Sequence, residues 1–380
     1  MGWETWQHSE NGPMLWMNWR DSLAQIPVLA RHEYLLCSDS FVEGSVLLGE
    51  HPYTLSSTAV HRSEAPKTGE PLSVILMTVE YTEERRLRGK GQRPSQRWDT
   101  WTGDVEDSQM AALLSVLLRI RCRSGGRVRP GSHSELDGPA PFLPGTDARF
   151  PYLPGLKHPE SPPDLSAAKS YLRSYPKLPG PTALPLTRAC ELYQQAVWAV
   201  ETDPSDSWLR LVSAIETASN ALRDRRWESE NKPSRLFEEF QPELALRIQG
   251  ACPSKVYEEI ADLFGRSHGA TKMFLAFLTE FATEPDVLVR SSGIRNHLRD
   301  VYDARSKRLH RGTPMPSEML SRVADERSLT VTRLDVLERS GEDDGTSPTS
   351  RLSLSAFEAV VRSALLGWWL RVNLEAEANW

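Results

Sequence analysis

The chain has 380 residues, of which 39% are hydrophobic and 25% are charged, and its net charge is -6. This length exceeds the usual size of one domain, so we expect two domains, each with its own core. The acidic balance excludes a protein that coats nucleic acid through bulk positive charge, so any such binding requires a local basic patch. The four cysteines form no CxxC pair, and we expect neither a metal site nor a cofactor.

Neither end of the chain carries a membrane signal. The first residues, MGWETWQHSE, lack the basic and apolar regions of a secretory signal peptide. The most apolar stretch, residues 364–372, contains Arg371 and is too short to cross a bilayer. Both features predict a cytoplasmic protein without membrane contacts.

The prolines divide the chain. Thirteen of the 27 fall between residues 130 and 185, a density that disfavours both a continuous helix and a central strand. We predict an N-terminal sensing or regulatory domain over residues 1–129, a proline-rich connector over residues 130–185 and a helical bundle over residues 186–376. The aromatic residues of the connector indicate that part of it lies against a domain surface.

Before the connector, the apolar residues follow the pattern of strands. Residues 72–81 are rich in β-branched side chains, residues 34–48 contain two apolar runs, and residues 110–118 suit a short helix. Basic side chains alternate with apolar ones at Arg119, Arg121 and Arg123, which predicts three guanidinium groups on one strand face. That face would be a polar sheet surface or a docking surface for an anionic trigger.

Two further N-terminal features suit either structure or nucleic-acid contact. Four tryptophans fall within the first 19 residues (Trp3, Trp6, Trp16 and Trp19), and such side chains more often pack on a sheet than stack on bases. Residues 85–97 are strongly basic but lack the spacing of a phosphate-binding loop. We interpret them first as a solvated basic loop.

After the connector, the apolar period becomes helical. Spacings of three and four residues predict seven helices, over residues 186–202, 207–222, 244–249, 255–264, 271–282, 294–310 and 355–372. The acidic segment 340–350 is predicted to be a loop. The expected fold class is therefore α+β overall, with a mostly-β or α+β domain followed by an all-α bundle.

An arginine interrupts the apolar stripe of the predicted helix 294–310, which runs through Ile294, Leu298, Val301, Arg305 and Leu309. A buried arginine is costly unless it is paired or faces a polar cleft. Arg305 therefore either forms an ion pair inside the bundle or lines a site. His310 follows in the final turn, shortly before Gly312.

The same segment is strongly basic for an acidic chain. Residues 294–311 carry two carboxylates, Asp300 and Asp303, against six cationic side chains, Arg295, Arg299, Arg305, Lys307, Arg308 and Arg311. This local excess of four positive charges suits a phosphodiester backbone. An arginine followed five positions later by a histidine arises about once by chance in such a chain, so the spacing alone is not specific.

The longer string DVYDARSKRLHRG, residues 300–312, resembles the RNase motif of the HEPN superfamily in its ApeA-like branch. In that motif a tyrosine precedes an Arg-Ser pair, here Tyr302 and Arg305-Ser306, and the motif closes on an apolar residue, histidine and often glycine. Here Arg311 separates the histidine from the glycine. Residues 192–200 and 208–218 resemble the first two helices of the family, the second with Glu216. The resemblance covers about residues 185–372.

The resemblance implies a HEPN-type helical bundle with metal-independent endoribonuclease activity. His310 would handle protons, Arg305 would stabilise charge on the phosphate, and Ser306 would occupy the small polar position. The remaining assignments follow from the basic segment and from the resemblance: Arg299, Lys307, Arg308 and Arg311 would bind RNA phosphates, and Glu216 and Tyr302 would be structural partners.

The resemblance also implies a homodimer and a biological role. Two HEPN domains would face each other with their motifs across a cleft, in an effector of antiviral defence or abortive infection. The N-terminal domain would receive a phage or nucleic-acid trigger.

The helical spacing of Arg305 and His310 leaves more than one arrangement of the site open. Arg305 and His310 lie about 140° apart on an ideal helix, so one rigid helix cannot present both to one small site. Fraying after Leu309, or pairing with a second copy of the motif, would solve this. The competing hypothesis is an internal Arg305–Glu216 ion pair and a surface histidine, in a non-catalytic adaptor that binds a nucleotide, RNA or a protein.

Overall fold

The structure is a computed structural model, and it describes residues 12–25, 28–48, 52–59, 73–82, 105–131, 162–200, 202–230, 237–238, 242–268, 270–282, 292–316, 319, 352 and 354–378. Their fold is α+β, as predicted. None of the described helices is long and apolar enough to cross a membrane.

The elements are numbered in chain order. The first half contains α1 (Met14–Leu23), β1 (Val28–Ser38), β2 (Ser45–Leu47), β3 (Tyr53–Ala59), β4 (Ser73–Thr82), α2 (Val105–Leu118) and β5 (Cys122–Gly131). The second half contains two 3-10 helices, Leu165–Ala168 and Tyr175–Lys177, and the helices α3 (Lys169–Ser174), α4 (Gly180–Ala199), α5 (Pro204–Glu230), α6 (Pro242–Ala251), α7 (Ser254–His268), α8 (Ala270–Phe281), α9 (Ser292–Arg311) and α10 (Leu354–Ala378).

The chain divides into two compact units at positions other than the predicted boundaries. Unit 1 comprises Met1–Arg210 and Trp368–Trp380, and unit 2 comprises Leu211–Gly367. Residues 186–210 and 368–376, which we expected in the bundle, therefore belong to the unit that contains the sheet. The division falls within α5 and within α10.

Unit 1 is built on one antiparallel sheet with the strand order β2-β3-β4-β1-β5. Strand β1 lies between β4 and β5, and every residue from 33 to 38 is buried, which means that this part of the strand is covered on both faces. A strand covered on both faces reads as a continuous apolar run, which explains why the sequence here lacks clear alternation. The buried helix α2 packs against β1, β5 and α4.

An aromatic cluster connects α1 to the rest of unit 1. The ring of Trp19 lies 5.0 Å from that of Tyr53 and 6.1 Å from that of Tyr175, measured between centroids. Tyr175 in turn lies 5.8 Å from Trp369. The prediction that the N-terminal tryptophans pack is confirmed for the buried Trp16 and Trp19, whereas Trp3 and Trp6, like the basic segment 85–97, lie outside the described residues.

The connector differs from its prediction, because its last third is helical. The chain forms helix over most of residues 165–185, and α4 contains Pro181 in its first turn and Pro185 inside it. A proline in the first turn loses no helical hydrogen bond, since the first N–H groups have no partner there. This part belongs to unit 1 and contacts α1, where Trp16 Nε1 donates to the carbonyl of Leu178 at 3.0 Å.

The predicted arginine ladder is wrong. Arg119 lies in the turn after α2, with a φ of 55°, and Arg121 precedes β5 and forms a buried ion pair with Asp39. Arg123 lies in β5, and its guanidinium carbon is 4.9 Å from the ring centroid of Trp198. The period of two in the sequence therefore comes from a turn followed by a strand.

The predicted helices of the second half are confirmed as α4 to α10, with ends that differ by one to eight residues. In unit 2 the aromatic ring of Phe274 on α8 lies 5.2 Å from Tyr302 on α9 and 6.4 Å from Phe357 on α10. A second small core joins Phe237, α6 and α7. The acidic segment 340–350 lies outside the described residues.

The aromatic cluster generates a stability prediction. Replacing Trp19 by alanine removes a fully buried ring, so we expect the free energy of unfolding to fall by about 3–5 kcal/mol in urea titrations followed by circular dichroism. Leu23→Ala, on the same helix but 44% exposed, is the matched control and should change it by less than about 0.5 kcal/mol. Equal effects of the two variants would contradict the assigned packing.

Candidate functional site

The candidate site lies on α9, whose C-terminal end is well defined. Helices commonly end on a residue in the left-handed conformation, and Gly312 supplies it with a φ of 64°. Its N–H donates to the carbonyl of Arg308 at 3.1 Å. The helix therefore continues through His310 to Arg311, and of the two alternatives for the site, fraying after Leu309 is wrong.

The buried stripe of α9 ends earlier than the sequence predicts. Leu298, Val301 and Tyr302 are buried, whereas Leu309 is 52% exposed. The expectation that Leu309 belongs to the core is therefore wrong. Arg305 lies between these two groups, and its contact with α5 is polar, so the apolar packing of this face stops before the final turn.

A carboxylate on α5 joins two side chains of α9. Oε2 of Glu216 accepts a hydrogen bond from Nη2 of Arg305 at 2.5 Å, and Oε1 accepts one from the hydroxyl of Tyr302 at 2.8 Å. The side chains of Arg305 and Glu216 are 18% and 19% exposed. The ion pair that the competing hypothesis predicts is therefore present, and it is neither fully buried nor freely solvated.

The ring of Tyr302 has two close neighbours, one aromatic and one cationic. Phe274 packs against it, and the guanidinium carbon of Arg305 lies 5.7 Å from its centroid. Because Tyr302 and Arg305 are three residues apart on one helix, they share a face and reach the same carboxylate. The sequence predicts a helix around Phe274, but it does not predict which side chain Phe274 supports.

The hydroxyl of Tyr302 is hard to ionise. Its pKa is raised to about 12, first by burial and then by the hydrogen bond to Glu216 and the negative charge of Glu216, while the positive charge of Arg305 opposes them. The hydroxyl is therefore a donor throughout the neutral range.

The other predicted site residues lie around this contact without joining it. Lys307, His310 and Arg311 are exposed, as is Arg299 one turn before Tyr302, while Ser306 and Arg308 are half-buried. His310 follows Arg305 by five residues on a continuous helix, which places it about 140° around the axis. The structure thus brings together Glu216, Tyr302 and Arg305, and it leaves His310 on another side of α9.

In comparisons with known proteins, no protein-family model, no curated protein and no solved structure matches this chain. The residues of the site and the resemblance of residues 300–312 to a known motif are therefore what indicates a function. In the part of the chain that the structure describes, no group of three or more histidine, cysteine, aspartate and glutamate side chains could hold a metal ion.

The raised pKa of Tyr302 generates a prediction for alkaline pH. A tyrosine whose pKa is higher in the folded than in the unfolded protein stabilises the fold fully below the unfolded value of about 10. That contribution is lost as the pH rises from about 10 to about 12. We therefore expect the melting temperature of the wild type to fall more steeply over this interval than that of Tyr302→Phe. Parallel curves would show that the hydroxyl does not titrate as described.

Proposed function

We propose that unit 2, Leu211–Gly367, contains the site of a HEPN-type domain that cleaves RNA without a metal ion. The observation that carries the proposal is the placement of Arg305, a cation held by a single carboxylate contact and still 18% exposed. An arginine in this position is fixed in direction but within reach of a phosphate. The motif resemblance and the basic character of α9 support the same function.

The chemistry follows from the side chains present. His310 would accept the proton of the ribose 2′-hydroxyl or donate one to the leaving 5′-oxygen, since imidazole can do both near neutral pH. Arg305 would stabilise the negative charge that develops on the phosphate. Attack of the 2′-oxygen on phosphorus would leave a 2′,3′-cyclic phosphate on one product and a 5′-hydroxyl on the other.

The helix geometry supports a site composed from two chains. Because α9 is continuous from Ser292 to Arg311, Arg305 and His310 are separated by about 140° around the axis and about 7.5 Å along it. A two-fold partner would bring its own histidine to the arginine of the first chain, and the symmetry would form two such sites. The proposed assembly is therefore a homodimer with the two α9 helices facing each other.

The exposed cations of α9 would guide the RNA. Arg299, Lys307 and Arg311 are exposed and Arg308 is half-buried, so they can contact backbone phosphates without sequence preference. Ser306, next to Arg305, would add a hydroxyl donor. On the resemblance alone, the proposal extends to an effector of antiviral defence or abortive infection, with a trigger acting on the N-terminal part.

A second candidate function is favoured by one specific observation. Arg305 forms an ion pair with Glu216 at 2.5 Å, as it would if its only role were to stabilise the helical bundle. In that case the domain would be a non-catalytic adaptor that binds RNA, a nucleotide or a protein through the basic surface of α9. The two candidates differ in whether RNA is cleaved.

Cleavage without metal is the first test. Purified protein in EDTA should cleave RNA to products ending in a 2′,3′-cyclic phosphate or its hydrolysed 3′-phosphate. His310→Ala should lower the rate by about 10²- to 10⁴-fold, the usual cost of removing a general acid or base. His297→Ala, on the same helix, is the matched control and should cleave at nearly the wild-type rate.

Two results would decide against this mechanism. Cleavage that requires added Mg²⁺ would indicate a different enzyme, and RNA binding without cleavage would favour the adaptor.

Complementation tests the composite site. Arg305→Ala and His310→Ala should each be inactive alone, but a mixed dimer contains one site with both residues intact. An equimolar mixture that exchanges subunits freely should therefore recover about one quarter of the wild-type activity. No recovery, together with a monomer at micromolar concentration in sedimentation, would show that His310 works with partners from its own chain.

A further inference from the structure

The contact between Arg305 and Glu216 uses fewer hydrogen bonds than such pairs often make. Arginine and a carboxylate frequently form two parallel hydrogen bonds, whereas here only Nη2 of Arg305 donates to Glu216. Among the described residues, the buried Nε of Arg305 has no hydrogen-bond partner. Nε and Nη2 lie on the same edge of the guanidinium group, so Nε is the natural second donor to Glu216.

The hydroxyl of Tyr302 accounts for this missing hydrogen bond. It donates to Oε1 of Glu216 at 2.8 Å. This hydrogen bond fixes the direction of Oε1, which is the oxygen that would have to accept from Nε if Arg305 and Glu216 formed two parallel hydrogen bonds. The ring that carries the hydroxyl is buried and packs against Phe274, so the donor cannot follow a rotating carboxylate. The terminal torsion of a glutamate is otherwise soft, and the carboxylate would turn easily.

We propose that Tyr302 is a positioning residue, which acts through Glu216. Its hydroxyl limits Arg305 to one hydrogen bond with Glu216 and so keeps the guanidinium available to an RNA phosphate. This inference rests on the proposed ribonuclease function. Without the hydroxyl, Glu216 turns both oxygens toward Arg305, and the second hydrogen bond holds the arginine more firmly against the bundle. The phosphate then competes with a stronger internal partner.

A double-mutant cycle tests this role in the full chain. Tyr302→Phe keeps the ring and removes only the hydroxyl, and we expect RNA cleavage to slow about 10- to 100-fold, the effect of one hydrogen bond to a charged group. In a Glu216→Gln background, the same substitution should have no further effect, because no carboxylate remains to capture Arg305. Melting temperatures of all variants should confirm that they are folded.

Another tyrosine of unit 2 provides the matched control. The hydroxyl of Tyr257 donates to Glu238 at 3.0 Å, so Tyr257→Phe removes a similar hydrogen bond away from Arg305. It should leave the cleavage rate unchanged. A merely structural role for Tyr302 would predict similar behaviour of the two substitutions.

A second measurement does not depend on activity. The Nε–H signal of Arg305 in nitrogen-15 NMR, assigned by its absence in Arg305→Lys, should exchange with water more slowly in Tyr302→Phe because Nε gains an acceptor. Two results would overturn the inference and leave the ribonuclease proposal standing. One is an unchanged exchange rate of the Arg305 Nε–H in Tyr302→Phe, and the other is an equal loss of cleavage rate on Tyr302→Phe in the wild-type and Glu216→Gln backgrounds. A folded wild type that cleaves no RNA would instead overturn the ribonuclease proposal. In that case, slower Nε–H exchange in Tyr302→Phe would still show that the hydroxyl controls the contact between Arg305 and Glu216.

Discussion

The contact of Arg305 with Glu216 is the constraint on which the candidate site depends. A guanidinium taken partly out of water must be compensated, and removing one partner of such a pair leaves an uncompensated charge. Glu216 compensates it from α5, while Tyr302 uses the remaining oxygen from α9. One carboxylate thus ties two helices together and fixes the direction of the cation that the proposed chemistry requires.

The same arrangement occurs in unit 1. Arg121 forms a buried ion pair with Asp39, and its guanidinium carbon lies 5.5 Å from the ring centroid of Trp198. In both units an arginine combines a carboxylate partner with an aromatic face, which lowers the cost of burying the charge. Because the same combination occurs away from the candidate site, the proposed function depends also on the exposed His310 and on the basic surface of α9.

Unit 1 is held by apolar packing around residues 33–38 of β1, which are buried on both faces of the sheet. The cluster of Trp19, Tyr53, Tyr175 and Trp369 joins α1, the sheet, a 3-10 helix and the end of α10. Segments distant in the sequence therefore share one core, and the C-terminal residues contribute to the unit that contains the N-terminal sheet. This sharing explains why composition changes along the chain do not mark the unit boundaries.

The sequence by itself determined the α+β class, the seven helices of the second half and the candidate motif, because these depend on local period and residue type. It also limited Arg305 to two roles, since a cation in an apolar stripe must find a partner. The pairing of Arg305 with Glu216 was one of the alternatives that the sequence left open, and the tertiary structure shows that it forms. Only the tertiary structure decided that Tyr302 shares this carboxylate, that Leu309 is exposed and that the arginine ladder is a turn followed by a strand. These outcomes depend on which segments meet in space, and no local pattern specifies that meeting.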